Sequence, residues 1–322
     1  MRVGVTGGTG VVGTALVRHL VGAGHEVRAL ARSAEAAGSL AAAGAEPVSG
    51  DVLDHAALVA AFGGCEVVYH SAGVNETCSS DPARMYRVNV DGSRTVLRAS
   101  AAAGVRRLVY TSSAVAIGEA RGVVATEKTP HRGYYLTAYE RSKHHAERAV
   151  MSEKSPVEVV SVNPSSVQGP GRATGTGEII LRLLQGRLPA LVESRVSLVD
   201  IDDCARGHVL AAERATPGER YLLSGFTTTV TGAVELAGQV LGRPVEVRLL
   251  PLWMARLGAG AVEAAARLRR RRPVLCREMV RVVGHGHAYD GSRATRDLGL
   301  AYATPADTIR RMMEWFQARD LL

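Results

Sequence analysis

Two hydrophobic rhythms alternate along the first 165 residues. Short runs rich in β-branched residues recur at 2–6, 26–31, 46–49, 67–71, 107–111 and 157–162. Longer stretches whose apolar positions repeat every three to four residues lie at 13–22, 54–62, 85–103 and 137–153. The first rhythm predicts strands and the second helices. Their alternation implies βαβ units, right-handed crossovers and a mainly parallel sheet. Six strands in this order predict a doubly wound α/β (Rossmann) fold of the kind that binds dinucleotides.

After Pro164 the pattern changes. Glycines and prolines crowd Gly169-Pro170-Gly171 through Gly177, a loop too long for a routine connection and therefore a candidate for function. One further strand–helix unit, 196–201 then 203–214, returns to the first domain. The sequence thus divides into a dinucleotide-binding domain, 1–164 plus 196–214, and a smaller substrate-binding lobe that makes up most of 165–322. Residues 249–266 carry Arg256 and Glu263 within an apolar stretch and predict an amphipathic helix packed into the core. No window of about 18 uncharged apolar residues occurs, so no bilayer span is expected.

Composition narrows the classes. Hydrophobic residues make up 46% and charged ones 22%, as in folded water-soluble domains. Aromatics at 4% argue against stacking platforms for single-stranded nucleic acid. Lys+Arg 39 against Asp+Glu 31 leaves a charge of +8, which reads as a solvated arginine-rich surface. The arginine run 269–272 reads as an exposed helix end before Pro273, and no nucleic-acid partner is expected. Cys65, Cys78, Cys204 and Cys276 lie far apart without a CxxC pair, and read as free thiols. Because the chain enters a strand at Arg2, no signal peptide is expected and the cytoplasm is the expected location.

The first turn reads Thr6-Gly7-Gly8-Thr9-Gly10-Val11-Val12-Gly13, directly after a strand and opening a helix. Gly8-x-Gly10-x-x-Gly13 has dinucleotide spacing, and in this context the pattern is specific. Glycine permits a tight turn and close approach of the backbone to a diphosphate, and Gly13 lets helix and strand pack. Gly7, Thr9, Gly10, Val11 and Val12 are therefore candidates to hold the diphosphate at the positive end of the helix. An NAD site usually places an acid at the end of the second strand. Here that end reads Ala31-Arg32-Ser33, with no acid. Arg32 with Ser33 suits a 2′-phosphate, so NADP(H) is favoured over NAD(H). Asp51 and Val52 are placed to bracket the adenine, and Ala72, with Ser71 and Gly73, to pass under the second ribose.

Tyr139-Glu140-Arg141-Ser142-Lys143 lies in helical periodicity, so Tyr139 and Lys143 share a face. A phenol near pKa 10 is a poor acid–base at neutral pH. An ammonium one turn away and a cationic nicotinamide would lower that value. Such a phenol gives a proton to a carbonyl oxygen as hydride reaches the carbon. Ser112 and Ser113 end a core strand upstream, and either hydroxyl could polarise the same carbonyl. With these motifs the chain resembles the extended short-chain dehydrogenase/reductases, within them the dihydroflavonol-4-reductase-like branch that includes the hopanoid-associated sugar epimerase group. TGGTGVVG, RALARS, YHSAG, VYTSSAVAIG, AYERSKHHAE, VNPSSVQGPG and SLVDIDDCARGH carry the resemblance nearly end to end. It implies that Ser113, Tyr139 and Lys143 are catalytic and that Lys143 holds the nicotinamide ribose. It also implies that Asn89 supports the active-site strand, that Pro164 lines the nicotinamide amide, and that the enzyme is a homodimer.

Departures from the family narrow the chemistry. Family dehydratases place an acidic pair beside the active-site Ser/Thr, whereas this chain has Ser113-Ala114-Val115, which disfavours dehydration. Nucleotide-sugar members such as UDP-galactose 4-epimerase place a clamping arginine where Val196 stands, and Arg195 is one residue off, on the opposite face of a strand. The leading expectation is NADPH-dependent reduction of a ketone on a small, partly apolar metabolite. A sugar epimerase and a 3β-hydroxysteroid-type dehydrogenase are alternatives. A non-catalytic NADP-sensing protein is the remaining one, although such proteins commonly lack the Tyr/Lys pair. No metal is expected. His144-His145 point to different helix faces, and Gly284-His285-Gly286-His287, with no acid or cysteine nearby in sequence, reads as a turn. His70 reads as a core histidine, and Asp202-Asp203 as a helix cap.

Overall fold

The computed structural model describes residues 1–322 apart from Pro189, Arg270, Arg272, Val274 and the side chain of Arg267. In chain order the first strands are β1 (Arg2–Thr6), β2 (Glu26–Ala31), β3 (Glu46–Ser49), β4 (Val67–His70), β5 (Arg107–Thr111) and β6 (Glu158–Pro164). Then come β7 (Ser166–Gln168), β8 (Ala190–Leu191), β9 (Arg195–Asp200), β10 (Arg220–Leu223), β11 (Phe226–Thr229) and β12 (Arg248–Leu249). Helices of the first half are α1 (Val11–Gly22), α2 (Ala34–Ala42), α3 (His55–Phe62), α4 (Pro82–Tyr86), α5 (Gly92–Ala102) and α6 (Ala138–Ser152). The second half adds α7 (Thr176–Leu184), α8 (Ile201–Arg214), α9 (Val230–Leu241), α10 (Leu252–Leu268), α11 (Arg277–His285) and α12 (Pro305–Gln317).

Every residue of β4 and β5 is buried, a condition that a strand meets with helices on both faces. Seven strands accordingly form one parallel sheet in the order β10-β6-β5-β4-β1-β2-β3. One face is sealed by Leu16 and Leu20 of α1 and Cys204 and Ala211 of α8. The other is sealed by Leu58 and Phe62 of α3, Val96 and Leu97 of α5, and Ala146 and Val150 of α6. Beyond it, β7 and β11 flank β9 in a three-stranded sheet. Leu181 and Leu184 of α7, Ala237 of α9 and Met312, Met313 and Phe316 of α12 form a separate core.

Four features differ from the sequence reading. A seventh strand, β10, joins the main sheet by pairing with residues 161–164 of β6; its Arg-Tyr-Leu-Leu sequence lacks β-branched residues. The alanine-rich α2 buries only Leu40 and therefore carries little periodicity. The stretch 85–103 is a composite, in which a wide π-type turn at Arg87–Asp91 joins α4 to α5. Asp200, rather than the two aspartates after it, caps α8 by accepting from the Asp202 amide at 2.8 Å.

The expectation of four free thiols is corrected. Cys78, in the loop after β4, is disulfide-bonded to Cys276 at the start of α11, 198 residues away along the chain. Separation in sequence gave no sign of this, because only the fold brings α11 over that loop. Cys65 and Cys204 are free and buried. Beside the bridge, the Glu278 carboxylate accepts from the Cys78 amide at 3.1 Å and from the Ala138 amide at 2.7 Å. Closing so long a loop restricts the unfolded chain, an effect worth about 2–4 kcal/mol in typical proteins. Cys276→Ser is expected to lose that much stability in denaturant unfolding under non-reducing conditions. Added reductant should lower the wild type to the level of the variant.

Candidate active site

The candidates from the sequence gather where parallel strands end. β1 to β6 stop at Thr6, Ala31, Ser49, His70, Thr111 and Pro164. Gly7 to Val12, Arg32, Asp51 with Val52, Ala72, and Ser112 with Ser113 follow these ends within a few residues. Strand order reverses between β1 and β4, which are neighbours in the sheet. Ligands of open α/β sheets sit in the crevice at such a reversal.

Backbone geometry explains the glycines of the first turn. Gly7 has φ +74°, and a Cβ there would lie 2.5 Å from the Ala72 amide nitrogen. A Cβ on Gly13 would lie 1.9 Å from the Gly7 carbonyl oxygen. Gly10 donates to that same carbonyl at 2.9 Å and begins α1 without a side-chain cap. The first-turn N–H groups of α1 have no partner within the helix. A diphosphate fits this cradle of open donors.

Around it, the remaining cofactor candidates differ in how free they are. The Arg32 side chain is 68% exposed, and its nearest acid is Asp51 at 4.0 Å. Ser33, by contrast, is occupied as the cap of α2, accepting from the Ala36 amide. Asp51 also accepts from the Leu53 amide at 3.0 Å, and Val52 is buried against Gly92. Pro164 closes β6 opposite Leu223.

Thr137 caps α6 by accepting from the Glu140 amide at 2.9 Å, which sets Tyr139 in the first turn and Lys143 one turn on. Lys143 is buried, donates to the Thr111 carbonyl at 2.8 Å and lies 5.3 Å over the Tyr110 ring. Burial lowers its pKa to about 8, with the Glu147 carboxylate opposing. The Tyr139 phenol lies within reach of the Ser113 hydroxyl's influence. Burial raises its pKa, while Ser113 and then the Arg172 guanidinium pull it down. The two serines also differ, since the Ser112 hydroxyl is buried without a hydrogen-bond partner among the described residues.

Asn89 lies in the wide turn at Arg87–Asp91. Its amide donates to the Val74 carbonyl at 2.9 Å and to Ser142 of α6 at 2.8 Å, and it accepts from the Val74 amide at 2.7 Å. It therefore joins the loop after β4 to α6. Arg172 lies in the long loop 169–177, and its guanidinium acts on the Tyr139 phenol. Its buried Nε has no hydrogen-bond partner among the described residues.

The histidines sort clearly. His70 is fully buried between Thr6 Oγ1 at 2.6 Å and Ser93 Oγ at 2.9 Å, and burial lowers its pKa to about 3, so it is a neutral core residue. His144 meets the Ala116 carbonyl, and His145 sits between the hydroxyls of Tyr86 and Tyr135. The turn at 284–287 departs from its reading, because the fold supplies the acid that the local sequence lacks: Glu119 lies 2.6 Å from His287. Of the arginine run 269–272, Arg270 and Arg272 lie outside the described residues.

Fold and site together define a nicotinamide-dependent oxidoreductase. Residues 3–224 match the NAD dependent epimerase/dehydratase family, and the chain belongs to it. A Synechocystis sp. protein named dihydroflavonol 4-reductase-like is 35% identical over 97% of this chain and 94% of its own. A Stigmatella aurantiaca protein named 4-hydroxy-2-methyl-3-oxo-4-farnesyl-3,4-dihydroquinoline-1-oxide ketoreductase is 30% identical over 94% of this chain and 92% of its own. Among solved structures, gox2253 superposes with TM-score 0.84 at 32% identity, covering 99% of each chain. Among the described residues no helix is long and apolar enough to cross a membrane.

The depressed lysine sets a pH dependence. Lys143 is charged below about pH 8 and loses its proton as pH rises through that value. kcat/KM for the cofactor reports ionisations of the free enzyme. It should therefore fall as pH rises through about 8, and Lys143→Arg, which keeps its charge, should displace that limb upward.

Proposed function

We propose that the protein reduces a ketone of a small, partly apolar metabolite to a secondary alcohol, with NADPH as donor. What supports this reading is that the Ser113 hydroxyl acts on the Tyr139 phenol, one helical turn from the buried Lys143. Bound reduced nicotinamide supplies the hydride. Tyr139 gives its proton to the substrate carbonyl oxygen, and Ser113 donates to the same oxygen and orients it. Lys143 holds the nicotinamide ribose, and Pro164 lines the amide. Gly7, Thr9, Gly10, Val11 and Val12 hold the diphosphate, Ala72 underlies the second ribose, and Asp51 and Val52 bracket the adenine. Arg32 binds the 2′-phosphate, supported by its exposure and by its loose pairing with Asp51.

Residues 165–322 mainly shape the substrate pocket, which needs no metal for this step. A homodimer completes the reading; the expected cytoplasmic location loses the support of four free thiols, because Cys78 and Cys276 are bonded to each other. The names of relatives support reduction: besides the ketoreductase, a Shewanella oneidensis relative at 29% identity is named 2-alkyl-3-oxoalkanoate reductase. Epimerisation is the second reading, favoured by the family name and by a Pseudomonas aeruginosa structure titled nucleoside-diphosphate-sugar epimerase, at 25% identity.

Incubation with NADPH and a panel of ketones separates the two, because an epimerase consumes no net NADPH. Tyr139→Phe is expected to lower kcat by about a hundredfold or more while cofactor affinity barely changes. Unaltered turnover in that variant removes the mechanism. Arg32→Glu should move the ratio of kcat/KM values from NADPH toward NADH, and a wild type that already prefers NADH overturns the 2′-phosphate assignment.

A further inference from the structure

Behind the start of α6, three side chains from distant segments converge outside the candidate active site. Glu119 follows the short turn at Ala114–Ile117, His285 ends α11, and His287 lies in the strap that runs back to the main body. The strap is fixed on both sides: the His287 amide donates to the Arg195 carbonyl of β9 at 3.0 Å, and Ala125 exchanges backbone bonds with Ala288 and Asp290 at 2.8 Å. Glu119 Oε1 is 2.6 Å from His287 Nδ1 and 3.7 Å from His285 Nε2. One potential ligand atom from each residue lies within 4.8 Å of the other two.

Two observations distinguish this cluster from an ordinary buried ion pair. Glu119 Oε2 and His285 Nε2 are both buried and have no hydrogen-bond partner among the described residues. Orphaned buried polar atoms are rare, because taking such an atom out of water without a partner is costly. Protonating His287 satisfies only Oε1 and leaves both orphans in place. Charge points the same way. The neighbouring Arg132 guanidinium is already paired with the buried Glu140 carboxylate, and it meets Glu119 only at the backbone carbonyl, 3.0 Å away. The Glu119 charge is thus left to whatever lies among the imidazoles.

We propose that Glu119, His285 and His287 bind one divalent cation of the zinc class. Two imidazoles and one carboxylate are the donor set of zinc and its first-row neighbours, whereas calcium and magnesium take oxygen ligands. The Tyr289 hydroxyl, 3.0 Å from His287 Nδ1, or a water completes a four-coordinate shell. Zinc bonds of about 2.0–2.2 Å require the 2.6 Å contact to open and the 3.7 Å contact to close, each by several tenths of an ångström. Bound there, the ion cross-links the end of α11 to the chain segment that leaves β5.

Untagged full-length protein, stripped by chelator and dialysed, tests the assignment. Titration with zinc chloride, followed by elemental analysis after gel filtration, should show one equivalent retained. Cobalt in its place should give the visible absorption of a low-symmetry site with nitrogen and oxygen ligands. Glu119→Gln and His285→Ala should each weaken binding by at least about tenfold. Absence of both retained zinc and a cobalt spectrum in the wild type overturns the proposal without need of any variant. Retention undiminished in a His285→Ala/His287→Ala double variant that still folds, by circular dichroism, places the metal elsewhere and overturns it as well.

Discussion

The bond from Lys143 to the Thr111 carbonyl is the constraint around which the site is arranged. An ammonium removed from water must find oxygen, and the last carbonyl of β5 is the one in reach at 2.8 Å. To make that bond α6 must lie close against the sheet, with Ser142, Ala146, Glu147 and Val150 on its buried face. Glu147 then pairs with Arg220 of β10 at 2.9 Å, anchoring the same face one turn further on. Seated so, the helix has no freedom in where its first turn falls. Tyr139 arrives beside Ser113 as a consequence of how Lys143 is solvated.

Much of this was legible in the sequence, for physical reasons that differ by element. Core strands such as β4 and β5 are buried on both faces and so read as short apolar runs. The turn from Gly7 to Gly13 is legible because at those two positions the backbone leaves no room for a Cβ, so glycine stands at both. Tyr139 and Lys143 announce themselves through helical spacing. Other features leave no local trace. β10 is a strand because an edge of β6 awaits it, and α2 is a helix with one buried residue, Leu40. The Cys78–Cys276 bridge and the meeting of Glu119 with two histidines depend on where α11 lands, which no neighbouring residue encodes.

The two halves of the crevice are built by different means. On the cofactor side, backbone atoms and strand ends do the positioning, and similarity to relatives extends over that whole region. On the other side stands the loop that carries Arg172, while α7, α9 and α12 bury a separate core of their own. Backbone geometry is common to a fold, whereas side chains change freely.

Glu278 makes a junction that neither half of the chain supplies alone. Its two carboxylate oxygens grip the amide of Cys78 in one loop and the amide of Ala138, the first residue of α6. One side chain of α11 thus ties the loop after β4 to the helix that carries Tyr139, beside the covalent bond from Cys78 to Cys276.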